Sequence, residues 1–247
     1  MIKAGVKHII LVLVVFGVVS CINDKTQPKE NLNGTQLYQK AALFTQENQL
    51  DSAIIYLGKA YEKELENPMM LVRDSAFYPL IDNPEFRPKI RNLLKKYSES
   101  NHSIMVRNEE PGRRITVTGK ILDEANMHPI KDALIELVHT DTSGVYFSEK
   151  SMWNPRIFSY LRTSDQGVFS IETIYPGSYP DDDGQEVAPH IHFTIEAEGY
   201  RVYASEFVFG DDPLLTINGN SENLPVAKEL VEKGKGHYHV TINLQSK

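Results

Sequence analysis

The chain has one cysteine, Cys21, in 247 residues, so no internal disulfide can form. It has no block rich in lysine and arginine, and its formal net charge is −7. Proteins that grip nucleic acid do so largely by neutralising phosphates with such blocks, so no nucleic-acid partner is expected. It also lacks an apolar run of the roughly 20 residues that a membrane-spanning helix needs. Extended disorder is excluded too. Hydrophobic residues make up 41% and charged residues 24%, enough apolar material to bury a core in one large or two modest domains.

What is present at the N-terminus reads as an address. Lys3, Lys7 and His8 precede an apolar run over residues 9–19. A short apolar stretch with a basic flank fits a secretory signal over residues 1–20. The run ends in Val18-Val19-Ser20-Cys21, which resembles the lipobox of bacterial lipoproteins. That resemblance implies lipidation of Cys21, a membrane anchor through the lipid, and export to the bacterial cell envelope, periplasm or cell surface. The plainer reading of Cys21 is an ordinary buried cysteine in a signal anchor. Residues 21–33 are polar beyond the cysteine, show no periodicity, and read as a flexible tether.

Residues 34–100 carry helical spacing. Leu37, Ala41 and Phe44 recur at i, i+4, i+7, and Ala53, Leu57, Ala60 and Tyr61 continue the pattern after Asn48-Gln49. Such stripes mark amphipathic helices packed on one another. The stretch resembles a single tetratricopeptide-type hairpin, with Ala41, Ala42, Ala53 and Ala60 allowing close approach. Pro79, Pro84 and Pro88 then punctuate short helices. One repeat is fewer than the roughly three a solenoid needs, so a small helical cap or spacer is expected. The alternative is a groove for a protein partner.

Residues 101–113 contain Pro111-Gly112 and read as a linker. From 114 to 247 the period changes to two. ITVTGKIL, ALIELVHT, VFSIETI, HIHFTIEA, EFVF and YHVTINL are separated by turn residues, the pattern of an all-β sandwich or barrel. AKELVEKGK, near 227–235, is the only long stretch with a helical look in this half. The fold class expected is therefore α+β and multidomain: a small α-helical hairpin module followed by a β-sandwich.

Within Pro189-His190-Ile191-His192-Phe193, alternation puts His190 and His192 on one strand face, with Ile191 and Phe193 on the other. Two imidazoles side by side are a ready pair of metal ligands, though polar residues on an exposed face would show the same spacing. His237-Tyr238-His239 repeats the pattern, but there the histidines read as the exposed side of the last strand.

Other segments make the first pair specific. The stretches Glu136-Leu137 to Asp141, Gly144 and Tyr146; Arg162-Thr163 to Asp165 and Gly167; Thr173-Ile174-Tyr175-Pro176-Gly177-Ser178-Tyr179-Pro180; Pro189 to Phe193; and Phe207 to Leu214 all occur in one order. Together they resemble the intradiol ring-cleavage dioxygenases over about residues 114–245, and Ile171–Pro180 resembles the exported branch of that family. The resemblance implies a non-haem Fe(III) that cleaves a catechol-like aromatic substrate with O2. It implies Tyr146, Tyr179, His190 and His192 as metal ligands, with Tyr179 also the base that deprotonates substrate. A hard ferric ion suits anionic oxygen donors, and a coordinated phenol loses its proton far below its ordinary pKa.

Two positions depart from the family. Val187 stands where members carry an arginine, and Glu206 where many carry a glutamine. Losing a cation near developing negative charge removes transition-state stabilisation. Arg162 and Arg201 are candidate substitutes. Asp181, Asp182 and Asp183 read as a solvated turn tip whose charge disfavours carboxylated catechols. The alternative function is a non-catalytic metal-binding or transthyretin-like β-sandwich of a surface lipoprotein.

Overall fold

A computed structural model describes residues 32–63, 65, 67–146, 154–218 and 223–247. The expected signal, the lipidation site at Cys21 and the tether up to residue 31 lie outside the described residues. Among those described, no helix is long and apolar enough to cross a membrane.

Asn33 opens the helical part with a reciprocal cap. Its side chain accepts from the Gln36 amide at 2.9 Å, while Gln36 Oε1 accepts from the Asn33 amide at 3.0 Å. The helices α1 (Gly34–Gln46) and α2 (Leu50–Tyr61) pack together and bury Leu37, Ala41, Ala53, Leu57, Ala60 and Tyr61. The short α3 (Tyr78–Asp82) and α4 (Arg87–Tyr97) carry Pro79 and Pro88 in their first turns, where a missing N–H costs little. The fully buried Arg87 fastens this corner. Its guanidinium donates to the carbonyls of Ile81 at 2.6 Å, Asp82 at 3.0 Å and Asn154 at 2.8 Å.

The strands are β1 (His102–Ile104), β2 (Arg114–Asp123), β3 (Leu134–His139), β4 (Ile157–Arg162), β5 (Val168–Ile174), β6 (Tyr179–Pro180), β7 (Glu186–Val187), β8 (His190–Glu196), β9 (Tyr203–Phe209), β10 (Val226–Glu229) and β11 (His237–Leu244), with α5 (Pro213–Asn218) between β9 and β10. Nine of them form one sheet in the order β1-β5-β2-β11-β10-β9-β8-β3-β4, and β6 and β7 form a separate ribbon. The sheet curls until its two edges meet. Ser159 Oγ of β4 lies 2.7 Å from Ser103 Oγ of β1, and the Arg162 amide donates to the Ser100 carbonyl at 2.9 Å. The result is a nearly closed sandwich. Its interior is filled by the inward residues of both halves, among them Val117, Ile121, Phe169, Ile191, Phe193, Phe207 and Tyr238.

The helices are not a detached spacer. Phe158 and Tyr160, on the outer face of β4, belong to the same apolar core as Leu80, Ile90 and Leu94. Within the segment expected to be a linker, His102–Ile104 pairs with β5. The helical look of AKELVEKGK is not realised. Val226–Glu229 pairs with both β9 and β11, and Val231–Lys233 makes only a 3-10 turn. Nine residues with a Gly-Lys-Gly end are too short for a helix to outcompete two strand partners.

His139 is the buried polar anchor of this core. Its Nδ1 faces the Thr140 carbonyl at 2.7 Å, and its Nε2 faces the Thr173 hydroxyl at 2.6 Å. Burial pushes its pKa down to about 4. Above pH about 6.5 the ring is neutral in both folded and unfolded chains. Between about 6.5 and 4 the unfolded chain takes up a proton that the folded chain refuses, so stability is lost as pH falls. The expected loss is on the order of 3 kcal/mol. His139→Gln should flatten the change in urea midpoint between pH 7 and pH 4.5. An unchanged slope in the variant would assign the acid sensitivity to other groups.

Candidate metal centre

Two glycines bring the two tyrosines together. Gly144 sits at φ +77, and a Cβ there would stand 2.2 Å from the Ser178 carbonyl oxygen. A Cβ on Gly177 would stand 2.5 Å from the Gly144 nitrogen. Only glycine allows this contact between backbones. The Asp141 carboxylate pins the first loop by accepting from the amides of Ser143 and Val145, at 2.9 and 3.1 Å. The Gly177 amide donates to the Asp141 carbonyl at 2.9 Å, and the Thr140 hydroxyl to the Gly177 carbonyl at 2.9 Å. Tyr146 follows the first loop, and Tyr179 begins the β6–β7 ribbon that follows the second.

The histidines come from β8, where the expected alternation holds: Ile191 and Phe193 are buried in the core and His190 and His192 share the other face. His190 Nε2 lies 3.1 Å from Tyr146 Oη, 3.2 Å from Tyr179 Oη and 3.2 Å from His192 Nε2. All four residues singled out from the sequence therefore converge. The other ring nitrogen of His190 faces the Ala188 carbonyl at 2.8 Å, so Nδ1 carries the proton and the Nε2 lone pair points inward.

The electrostatics favour a cation. Burial raises the Tyr146 hydroxyl far above its ordinary pKa, with Tyr179 and Glu206 adding to it, and burial raises Tyr179 as well. His192 is pushed down to about 4, first by burial and then by His190. Neutral lone pairs and buried phenols thus face one another at close range. Donor atoms held about 2.1 Å from a single ion stand roughly 3.0 to 3.4 Å apart, so the spacing fits a metal. The donor set, two phenols and two imidazoles, fits a hard ferric ion.

The structure adds a fifth group that the sequence reading treated only as a departure. Glu206 on β9 is the cross-strand partner of His192. Its Oε2 lies 3.4 Å from His192 Nδ1 and 3.8 Å from His190 Nε2. The donor atoms of His190, His192 and Glu206 fall within 4.8 Å of one another, close enough to hold one ion. The sequence signal was a carboxylate in an otherwise apolar strand, beside a pair of histidines.

The other departures are placed differently. Val187 pairs with Tyr179 across the ribbon and lines an apolar recess with Val208, Leu214 and Leu215. Neither candidate arginine replaces a cation there. Arg162 donates to the Ser98 carbonyl and to Asp132, four residues along β4 from the row that faces His192, and Arg201 is exposed. Asp181 caps the turn tip by accepting from the amides of Asp183 and Gln185, and all three aspartates are exposed.

Beside the donors lies a cavity of about 670 Å³, in the range of small-molecule sites. Tyr146, His192, Glu206, Arg91, Glu136 and Val138 are among the residues that line it.

The family model Dioxygenase_C, for a dioxygenase, matches residues 81–241. The alpha chain of protocatechuate 3,4-dioxygenase from Pseudomonas putida is 26% identical over 150 residues, which cover 56% of this chain and 74% of that one. The beta chain of protocatechuate 3,4-dioxygenase from Burkholderia cepacia is 31% identical over 133 residues, 49% of this chain and 56% of that one. The crystal structure of catechol 1,2-dioxygenase from Pseudomonas arvilla C-1 aligns with 87% of this chain and 94% of its own, at 17% identity and a TM-score of 0.49.

Proposed function

The chain belongs to the intradiol ring-cleavage dioxygenase family, and on that premise we propose that it opens a catechol-like aromatic ring between its two hydroxylated carbons with O2, at a non-haem Fe(III) held by Tyr146, Tyr179, His190 and His192. The observation that carries this reading is the convergence of two phenol oxygens and two imidazole nitrogens, with three of the donors 3.1 to 3.2 Å from His190 Nε2. The chemistry supplied by a bound ferric ion is Lewis acidity toward the substrate oxygens, together with access to O2 chemistry.

The rest of the work falls to the chain. His190 is the fixed donor, because the Ala188 carbonyl holds its ring in one orientation. Tyr179 is half-buried on the short ribbon, and its Oη, 3.2 Å from His190 Nε2, takes the proton from a substrate hydroxyl. Val138 and the cavity's largely apolar lining keep water from the reacting ring. We also propose that the protein is exported and lipid-anchored through Cys21. The basic flank, the short apolar run and the lipobox-like residues support that part.

The test uses protein expressed without residues 1–21 and loaded with ferric iron. Stoichiometric iron with a red tyrosinate charge-transfer band, a band shift on anaerobic addition of catechol, and O2 uptake on admission of air are expected. Protein that stays colourless and metal-free after reconstitution would overturn the reading. Iron and colour with no O2 uptake for any catechol would instead favour a non-catalytic metal-binding module, the reading to which the missing cation at Val187 points.

A further inference from the structure

The cavity beside the donors is lined by Arg91 and Glu136, which Tyr160 joins by hydrogen bonds, three residues from segments far apart in sequence. Arg91 reaches in from α4, Glu136 comes from β3 and Tyr160 from β4. The Arg91 guanidinium pairs with Glu136 Oε1, its Nε donates to Tyr160 Oη at 3.2 Å, and Tyr160 Oη donates to Glu136 Oε1 at 2.9 Å. One turn further along α4, Lys95 pairs with Glu196 of β8 at 2.6 Å, so the helix is gripped at two points over the sheet. Strand register fixes where this group stands. Glu136 is opposite Thr194 and Val138 is opposite His192, so Glu136 and His192 are diagonal neighbours on one sheet face. Such positions lie about 7 to 8 Å apart, a separation that an aromatic ring and one substituent can bridge.

Arg91 pairs with Glu136, and the Glu206 carboxylate also lines the cavity. Among the described residues the second oxygen, Glu136 Oε2, has no hydrogen bond. It is an acceptor on the cavity wall, ready for an O–H or N–H. A carboxylate brought into the cavity would meet two more, those of Glu136 and Glu206.

We propose that Arg91 and Glu136, held in place by Tyr160, form a specificity clamp that favours a catechol ring bearing an additional uncharged hydrogen-bond donor, such as a third hydroxyl, and rejects carboxylated catechols. The proposal rests on the catechol reading above and names the substrate class within it. It also gives the helical segment a role, since α4 supplies Arg91 to the clamp.

The test is anaerobic calorimetric titration of the iron-loaded full chain with catechol, 1,2,4-trihydroxybenzene and 3,4-dihydroxybenzoate. The trihydroxy compound should bind about fivefold to tenfold tighter than catechol, and the carboxylated one at least about tenfold weaker, as one hydrogen bond gained or one unpaired charge implies. Glu136→Gln removes the acceptor charge and leaves Arg91 cationic. It should improve 3,4-dihydroxybenzoate about tenfold relative to catechol. Arg91→Met should move that ratio the opposite way, and because the two variants disrupt the same packing, opposite shifts separate charge from misfolding. Parent protein that prefers 3,4-dihydroxybenzoate, or variants that leave the ratio unmoved, would overturn the clamp while sparing the catechol reading. Binding of none of the three compounds by the parent would overturn both.

Discussion

Tyr146→Phe is expected to cut bound iron from about one equivalent per chain to a small fraction, at least a hundredfold loss in affinity, or about 2.7 kcal/mol. The phenyl ring stays and only the oxygen goes, so the loop geometry set by Asp141, Gly144 and Gly177 is kept. The hydroxyl's contact with His190 Nε2 at 3.1 Å is what the variant loses. His190→Ala should be as severe for iron and worse for the fold. It opens a cavity at a buried position and leaves the Ala188 carbonyl without its donor, a penalty of about 1 to 3 kcal/mol. Iron per chain and the visible band, measured beside urea unfolding, separate the two effects. Full iron with an unaltered spectrum in Tyr146→Phe would mean that the metal sits elsewhere or that Tyr146 is not bound to it.

Glu206→Gln should act in the opposite sense on substrate. Two phenolates and a carboxylate together balance the three charges of a ferric ion. A catechol bound as an anion would then find no net positive charge to attract it. Replacing the carboxylate 3.4 Å from His192 with an isosteric amide leaves the centre one unit more positive. Allowing for the partial exposure of Glu206, the difference is on the order of 2 kcal/mol. Anaerobic catechol binding is therefore expected to tighten about tenfold or more, while iron affinity falls by a similar factor. Spectral titration measures the first and competition with a chelator the second. Catechol binding that weakens, with iron retained as before, would show that Glu206 assists substrate rather than opposing it.

How much of this was legible in the sequence depends on where each residue's partners lie. β2, β8 and β11 could be read because one face of each meets the core and the other does not, so alternation survives. β4 could not. Five of its six residues are buried, because the helices cover Phe158 and Tyr160 on the outer face. A strand buried on both sides has no period to detect. The four candidate metal donors were recognisable as a set through spaced motifs, and the glycines in those motifs turn out to be the contact that joins the two loops. Glu206 was visible as a position but not as a donor, since its role arises from cross-strand pairing with His192. Arg91 was beyond reach. Only the packing of α4 over β3 and β8 brings its guanidinium into the cavity, and no local pattern encodes that.

The place of β11 in the sheet bears on how the molecule comes to exist. It lies between β2 and β10 and joins the β1-β5-β2 half to the β10-β9-β8-β3-β4 half. Its register runs parallel to β2 from His237 to Leu244, with partners made more than a hundred residues earlier. During synthesis, then, all the strands that carry Tyr179, His190, His192 and Glu206 leave the ribosome before the strand that unites them. Until it arrives there are two open half-sheets with unsatisfied edges, and long-range closures of this kind are slow. In that state Tyr179, His190, His192 and Glu206 are already made, while the sandwich around them is completed only when the last strand has slotted in.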